Sequence, residues 1–371
     1  MSIKQTILTV IFLTIILPAA AQDHDCYNVE ELCSEQREGY SCTLVRFNAH
    51  DGDSISAYIL MPDNASQDNP VPGIVMMHDH GARFDIGKEK LVKPICRNPD
   101  HAEEAGAGFP YGAPGHISAS AKEWSDKYFD GVFFGDFLAS EGYAVIAVDA
   151  LYWGERSCQE AQEWSRLTFC KEGKQSMSRE ARDSVKNRIK KLKLQVYEGQ
   201  REIYAGLAAD GKCWAGKILE DDIASAELLA SMPCVDSSRI GAFGFSMGAH
   251  RCWLLSAFCD RIKCGAAVCW MTLKSSYDSD NASDLSMRIP AMRDTMDFPE
   301  IAELLKPKTM LFVSGREDHL FPEAVVEAAF QTMNEIYGED RAALTTCFSE
   351  GGHRCGKSVQ ILVTKFFKDK L

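Results

Sequence analysis

Arg239-Ile240-Gly241-Ala242-Phe243-Gly244-Phe245-Ser246-Met247-Gly248-Ala249-His250 reads as a buried strand, a sharp turn and the start of a helix. Ile240 to Phe243 are apolar or small. Gly244-Phe245-Ser246-Met247-Gly248 is a G-x-S-x-G, and Trp253, Leu254, Leu255 and Phe258 carry the pattern on as a helix. A serine hydroxyl is a weak nucleophile at neutral pH. It needs a base beside it and converging backbone N–H groups in front of it. A tight strand-to-helix turn exposes the hydroxyl, and two glycines remove side chains that would collide there. The helix N-terminus also favours developing negative charge.

Upstream, Thr43–Phe47 and Ser54–Met61 flank the turn signal Asp51-Gly52-Asp53 and predict an antiparallel hairpin. Val71–Met77 is a fully apolar strand that ends in His78-Asp79-His80-Gly81-Ala82-Arg83. A continuous apolar strand running into a His-Gly loop is what the carboxyl edge of a parallel sheet presents, where ligands bind. The amides near Gly81 and Ala82 are therefore candidates for the second half of an oxyanion hole, opposite the Met247 N–H. A metal at His78-x-His80 lacks further ligands at metal spacing, so the pair reads as loop-shaping and no metal is expected. Residues 84–128 read as a long irregular stretch forming a pocket wall. Tyr143–Val148 is the next buried strand, followed by a loop in which Glu155 and Arg156 are expected to pair. Residues 157–215 interrupt the alternation. Ala181, Val185, Ile189, Leu192 and Val196 mark one face of a long helix, a solvated helical insertion in the position of a lid.

The chain has 371 residues, 46% of them hydrophobic and 25% charged, which suits one large globular domain with insertions. A formal charge of −13 argues against nucleic acid or an anionic membrane as partner. Lys4, the apolar run Ile7–Leu17 and Pro18-Ala19-Ala20-Ala21 together read as a signal peptide over residues 1–21, with cleavage before Gln22. Residues 22–39 then form a cysteine-bearing arm, and 40–371 one domain that carries the insertion at 157–215. The mature protein is expected to be exported, periplasmic or extracellular, and not held at a membrane. Fourteen cysteines in an exported chain suggest disulfides. Cys158 and Cys170 could close a loop, and Cys347 and Cys355 bracket a candidate histidine. Cys264 and Cys269 read as buried free thiols. The pairing and the oligomeric state are not readable.

Two further strand ends carry chemistry. Lys308–Ser314 runs into Gly315-Arg316-Glu317-Asp318, and Ala343–Phe348 into Ser349-Glu350-Gly351-Gly352-His353. With Ser246 as nucleophile, His353 is placed to take and return its proton. Asp318 is placed to orient the imidazole, with Glu317 as the alternative acid. Met247 with Gly81 or Ala82 would hold the oxyanion. No cofactor is called for.

The order Ser246, Asp318, His353, together with strands and helices alternating from Val71 onward, resembles the α/β-hydrolase superfamily. Several further pieces narrow the likeness to the dienelactone-hydrolase and acetyl-xylan-esterase-like bacterial group. They are His78-Asp79-His80-Gly81, Gly87-Lys88-Glu89-Lys90, Asp149 through Gly154-Glu155-Arg156, Asp221-Asp222-Ile223, Val235-Asp236, Asp297-Phe298-Pro299 and Gly315-x-x-Asp318. The resemblance implies an α/β-hydrolase fold: a mostly parallel central sheet with helices on both faces and a helical insertion at 157–215. It implies a serine esterase forming an acyl-enzyme, acting on a small-molecule or glycan ester in carbohydrate degradation. Dienelactone hydrolases proper use a cysteine nucleophile where this chain has Ser246, which points away from lactones. A serine peptidase of the same fold and a catalytically idle binding protein are the alternatives.

Overall fold

The structure is a computed structural model that describes residues 27–96, 112–170, 177–278 and 281–371. The expected signal peptide, and the first part of the arm with Cys26, lie outside the described residues. Among the described residues, nine strands form one sheet in the order β1-β2-β3-β5-β4-β6-β7-β8-β9. They are β1 (Glu30–Arg37), β2 (Tyr40–Asn48), β3 (Ser54–Pro62), β4 (Val71–Met77), β5 (Ala144–Val148), β6 (Val235–Phe245), β7 (Ile262–Val268), β8 (Thr309–Gly315) and β9 (Leu344–Ser349). The expected hairpin is β2–β3, with Phe47 opposite Ile55. From β5 through β9 every neighbouring pair is parallel. The stretch read as an arm instead supplies β1, the antiparallel edge strand. Its sequence, EELCSEQR, is polar because an edge strand with an exposed face needs few apolar residues.

β4 has β5 on one side and β6 on the other, so the strand order reverses there. The crevice outside the carboxyl ends of β4 and β6 is the place where such sheets bind ligands. The loops that leave those ends carry His78–Ala82 and Ser246.

Alternation along the strands feeds two cores. In β4, Val75 and Met77 join one core, and Ile74 and Met76 the other. The first core is covered by α5 (Trp214–Ser231), α6 (Met247–Phe258) and α7 (Glu323–Tyr337). The second is covered by α1 (Gly115–Tyr128), α2 (Phe134–Ser140) and α8 (Lys357–Lys370). The stretch read as irregular therefore contains a helix, α1, and the 3₁₀ turn Lys88–Lys90.

The insertion is α3 (Gln159–Phe169) followed by α4 (Arg179–Ala209). The periodic face of α4 is exposed at Ala181 and buried at Leu192 and Val196, so only its second half docks on the domain. Gly199 permits that docking, because a Cβ there would run into the Tyr152 hydroxyl. Cys158 and Cys170 cap opposite ends of α3, roughly 18 Å apart at helical rise, far beyond disulfide reach. All thirteen described cysteines are free. Cys42, Cys252, Cys259, Cys264, Cys269 and Cys355 are buried, where thiols pack as small apolar groups.

Glu155 and Arg156 do not pair with each other. Arg156 reaches Asp221 at 2.7 Å, and Glu155 takes Lys88 at 3.3 Å and Arg46 at 3.1 Å. The charged run Lys88-Glu89-Lys90 is buried. Lys88 meets Asp149 at 2.7 Å and Glu89 at 3.0 Å. Burial works against its charge, but Asp149, Glu155 and Glu89 outweigh that and hold its pKa above the usual lysine value. A buried charge survives only with such partners. Among the described residues, no helix is long and apolar enough to cross a membrane.

Candidate active site

Ser246 occupies the turn between β6 and α6 at φ 55°, ψ −123°. A non-glycine residue with positive φ is strained, and here the strain lifts the hydroxyl out of the sheet. The two glycines have separate tasks. A Cβ on Gly244 would run into the Gly248 carbonyl, and a Cβ on Gly248 would run into the Met77 carbonyl at the end of β4. The first closes the turn. The second seats α6 directly against the strand that leads to His78–Ala82. The Ser246 N–H donates to Val268 O at 2.8 Å and ties the turn to β7.

Asp318 follows β8 and His353 follows β9. The two loops are stitched together by Arg316 N–H to Ser349 O at 3.1 Å and Glu317 N–H to Gly351 O at 2.9 Å. Gly315 has no side chain to hold the carbonyls of Gly351 and Gly352 away. The result is one hydrogen-bonded line. Ser246 Oγ lies 2.8 Å from His353 Nε2, and His353 Nδ1 lies 2.7 Å from Asp318 Oδ2. The other oxygen of Asp318 accepts from Leu320 N–H at 2.9 Å and Phe321 N–H at 3.3 Å. Asp318 thus anchors its own turn with Oδ1 and the imidazole with Oδ2. Glu317 is exposed and takes no part. The carboxylate is fully buried and the imidazole 17% exposed, an arrangement able to move a proton from a serine hydroxyl to a nitrogen that an anion steadies.

Cys269 stands just after β7 with φ 58°. Its sulfur, Asp318 and His353 have ligand-type atoms within 4.8 Å of one another. Burial pushes the Cys269 thiol up to about 12, so it stays protonated, and both ring nitrogens of His353 are already engaged. The trio fits a triad with a thiol beside its acid better than a metal site, since a metal binds the thiolate.

The loop after β4 forms the facing wall. His78 donates from Nδ1 to Asp79 O at 2.9 Å and accepts the Ala150 N–H at 3.1 Å on Nε2. His80 accepts the Ala82 N–H at 3.1 Å on Nδ1 and donates from Nε2 to Gln200 Oε1 at 3.1 Å. Both rings are buried and neutral. Burial pulls His78 well below the ordinary histidine value and His80 down to about 4. They shape the loop, and the bonds leave neither ring a free nitrogen for a metal. The Ala82 amide is thereby committed to His80 and is not free for an oxyanion, which corrects the expectation for that residue. Met247 is the first residue of α6, so its N–H has no intrahelical acceptor. Gly81, at φ 55°, lies against Trp124 and the Asp79 carboxylate, where only glycine fits.

Ser246, His353, Met247, Gly81 and Ala82 all line one cavity of about 540 Å³. Its walls include Trp124 and Tyr128 from α1, Tyr197 from α4, and Trp270, Tyr277 and Phe321 from the loops after β7 and β8. None of these was singled out from sequence. Trp124 and Tyr128 stand four apart on α1, a spacing visible in the sequence once that stretch is read as helix. Tyr197, next to the apolar stripe of α4, gave no separate signal. Among the described lining residues there is no lysine or arginine, while Asp79 and Asp278 contribute carboxylates.

Residues 133–354 match the dienelactone hydrolase family. The candidate hydrolase YtaP of Bacillus subtilis (strain 168) is 22% identical over 320 residues, covering 85% of this chain and 83% of that protein. Among solved structures, a candidate acetyl xylan esterase from Bacteroides fragilis NCTC 9343 superposes with a TM-score of 0.60 at 16% identity. That superposition covers 93% of this chain and 73% of the other. The glucuronoyl esterase from Solibacter usitatus gives 0.57 at 12% identity, over 96% and 88% of the two chains. At these identities the superpositions speak for the α/β-hydrolase fold alone. The family match runs from the start of α2 past His353, more than half of the chain, and on that ground the protein is a hydrolase belonging to the dienelactone hydrolase family.

Proposed function

We propose that the protein is a serine carboxylic-ester hydrolase that releases short acyl groups, acetate foremost, from carbohydrate. Ser246 attacks the acyl carbon while His353 takes its proton and Asp318 steadies the imidazolium. The alcohol leaves with that proton, and a water activated by His353 then frees the acid from Ser246. The observation that carries this reading is the unbroken Ser246–His353–Asp318 hydrogen-bond line opening into the cavity.

The walls support the choice of substrate. Aromatic rings offer faces to the C–H side of a sugar, and Ser276, Asn281 and Ser283 offer hydrogen bonds to hydroxyls. With carboxylates and no described lysine or arginine at the wall, a neutral glycan is favoured over a polyuronide. The pattern of residues 1–21 supports export, so the substrate would be met outside the cytoplasm.

The test is acetate release from acetylated neutral polysaccharides and from acetylated pectin, with Ser246→Ala alongside. Ser246-dependent release, faster from the neutral glycans, is expected. Hydrolysis of aminoacyl amides without hydrolysis of acyl esters would instead establish a peptidase, and Ser246-independent release would remove the mechanism.

A further inference from the structure

The buried Lys88-Glu89-Lys90 turn has no part in the chemistry described so far, yet one of its charges sits directly behind the oxyanion wall. The Lys90 side chain is completely buried. Its Nζ donates to the Asp79 carbonyl at 2.7 Å and to the His80 carbonyl at 3.1 Å. The Asp79 carboxylate lies 3.6 Å away, and the Trp124 ring is 5.1 Å from the ammonium. An ammonium has three donors, so two serve backbone carbonyls and the third faces the acid and the ring. The His80 carbonyl also accepts from the Trp153 indole at 3.1 Å and the Arg83 N–H at 3.4 Å. Two residues earlier, the His78 carbonyl accepts from Arg251 at 3.4 Å.

Three successive carbonyls are therefore held by donors inside the protein. A trans peptide is planar, and its C=O and N–H point in opposite directions. Fixing the His80 carbonyl toward Lys90 and Trp153 turns the Gly81 N–H the other way, and Gly81 lines the cavity. The Ala82 N–H is already spent on His80. A buried ammonium is expensive where neutral donors could satisfy two carbonyls. Here its positive charge also lies on the far side of the turn that would face a developing oxyanion.

We propose that Lys90 is a positioning residue: its ammonium pins the Asp79 and His80 carbonyls to the back of the turn and so presents the Gly81 N–H as the second oxyanion donor, beside the Met247 N–H. The inference rests on Ser246 being the nucleophile.

The test compares wild type, Lys90→Met, Trp153→Phe and Ser246→Ala. It measures kcat and KM on p-nitrophenyl acetate and the rate at which a p-nitrophenyl phosphonate labels Ser246. Phosphonylation needs the oxyanion donors but not the natural substrate. Lys90→Met should lower kcat and the labelling rate by roughly 10²-fold, the size of one lost oxyanion donor, with KM little changed. Trp153→Phe, which removes one donor to the His80 carbonyl and keeps the ring, should give a smaller loss in the same direction. A folded Lys90→Met protein with wild-type rates, or one impaired only through KM, overturns the proposal. Should Lys90→Met fail to fold, unchanged rates in Trp153→Phe overturn it alone. A Ser246→Ala protein that still cleaves the ester as fast as wild type would instead break the underlying reading, so the two failures are distinguishable.

Discussion

Asp318 serves two sets of hydrogen bonds with one carboxylate. Oδ1 accepts from the Leu320 and Phe321 amides of its own turn, and Oδ2 meets His353 Nδ1, where the proposed mechanism needs an acid. Asp318→Asn can keep only one of those acceptors, because an amide has a single oxygen. We expect kcat to fall by about 10⁴-fold, as loss of the correct imidazole tautomer does elsewhere, with a stability cost of about 1–2 kcal/mol. Steady-state kinetics and urea denaturation check both parts. His80 makes a different prediction. Its folded pKa of about 4 lies below the ordinary value of 6.5. Between those limits the unfolded chain holds the extra proton, so stability rises with pH across that window and is lost as pH falls toward 4. The contribution is on the order of 3 kcal/mol. Buried His78 and His250 shift in the same direction. Urea midpoints should drop between pH 6.5 and 4, less steeply in His80→Gln. Equal slopes in the two proteins would show that His80 is not held neutral.

At the scale of elements, β6, its turn and α6 were legible because glycines mark the two close approaches that the turn needs. Gly248→Ala tests the second approach. The new methyl would meet the Met77 carbonyl and force α6 off the end of β4. A loss of about 1–3 kcal/mol is expected, together with a drop in kcat as the Met247 and Gly81 amides separate. Wild-type kcat in a folded Gly248→Ala protein would show that this contact does not set the site. The elements that sequence missed failed for physical reasons. β1 is polar because it is an edge strand. α1 follows a stretch rich in Gly, Pro and Ala, and it holds its apolar residues on one face only. The Lys88–Lys90 turn carries charges that usually mark a solvated surface. Only the tertiary placement of Asp149 and of the Asp79 and His80 carbonyls makes their burial possible.

The whole molecule follows from a sheet whose strand order reverses at β4. That reversal brings the ends of β4 and β6 together, while β8 and β9 deliver Asp318 and His353 from the same edge. Parallel buried strands announce themselves as apolar runs, which is why this architecture and the order Ser246, Asp318, His353 could be read from the chain. The cavity walls could not, because Trp124, Tyr197 and Trp270 come from three separated segments that only the fold assembles. This assembly is what would make Ser246 a nucleophile. The most direct measurement is rapid quenching of the protein with p-nitrophenyl acetate, followed by peptide mass analysis. A burst of p-nitrophenol stoichiometric with enzyme, with the acetyl group on Ser246 and neither seen in Ser246→Ala, is the expected result. Burst and steady turnover that persist unchanged in Ser246→Ala, or an acetyl group found on another residue of the active protein, would contradict it.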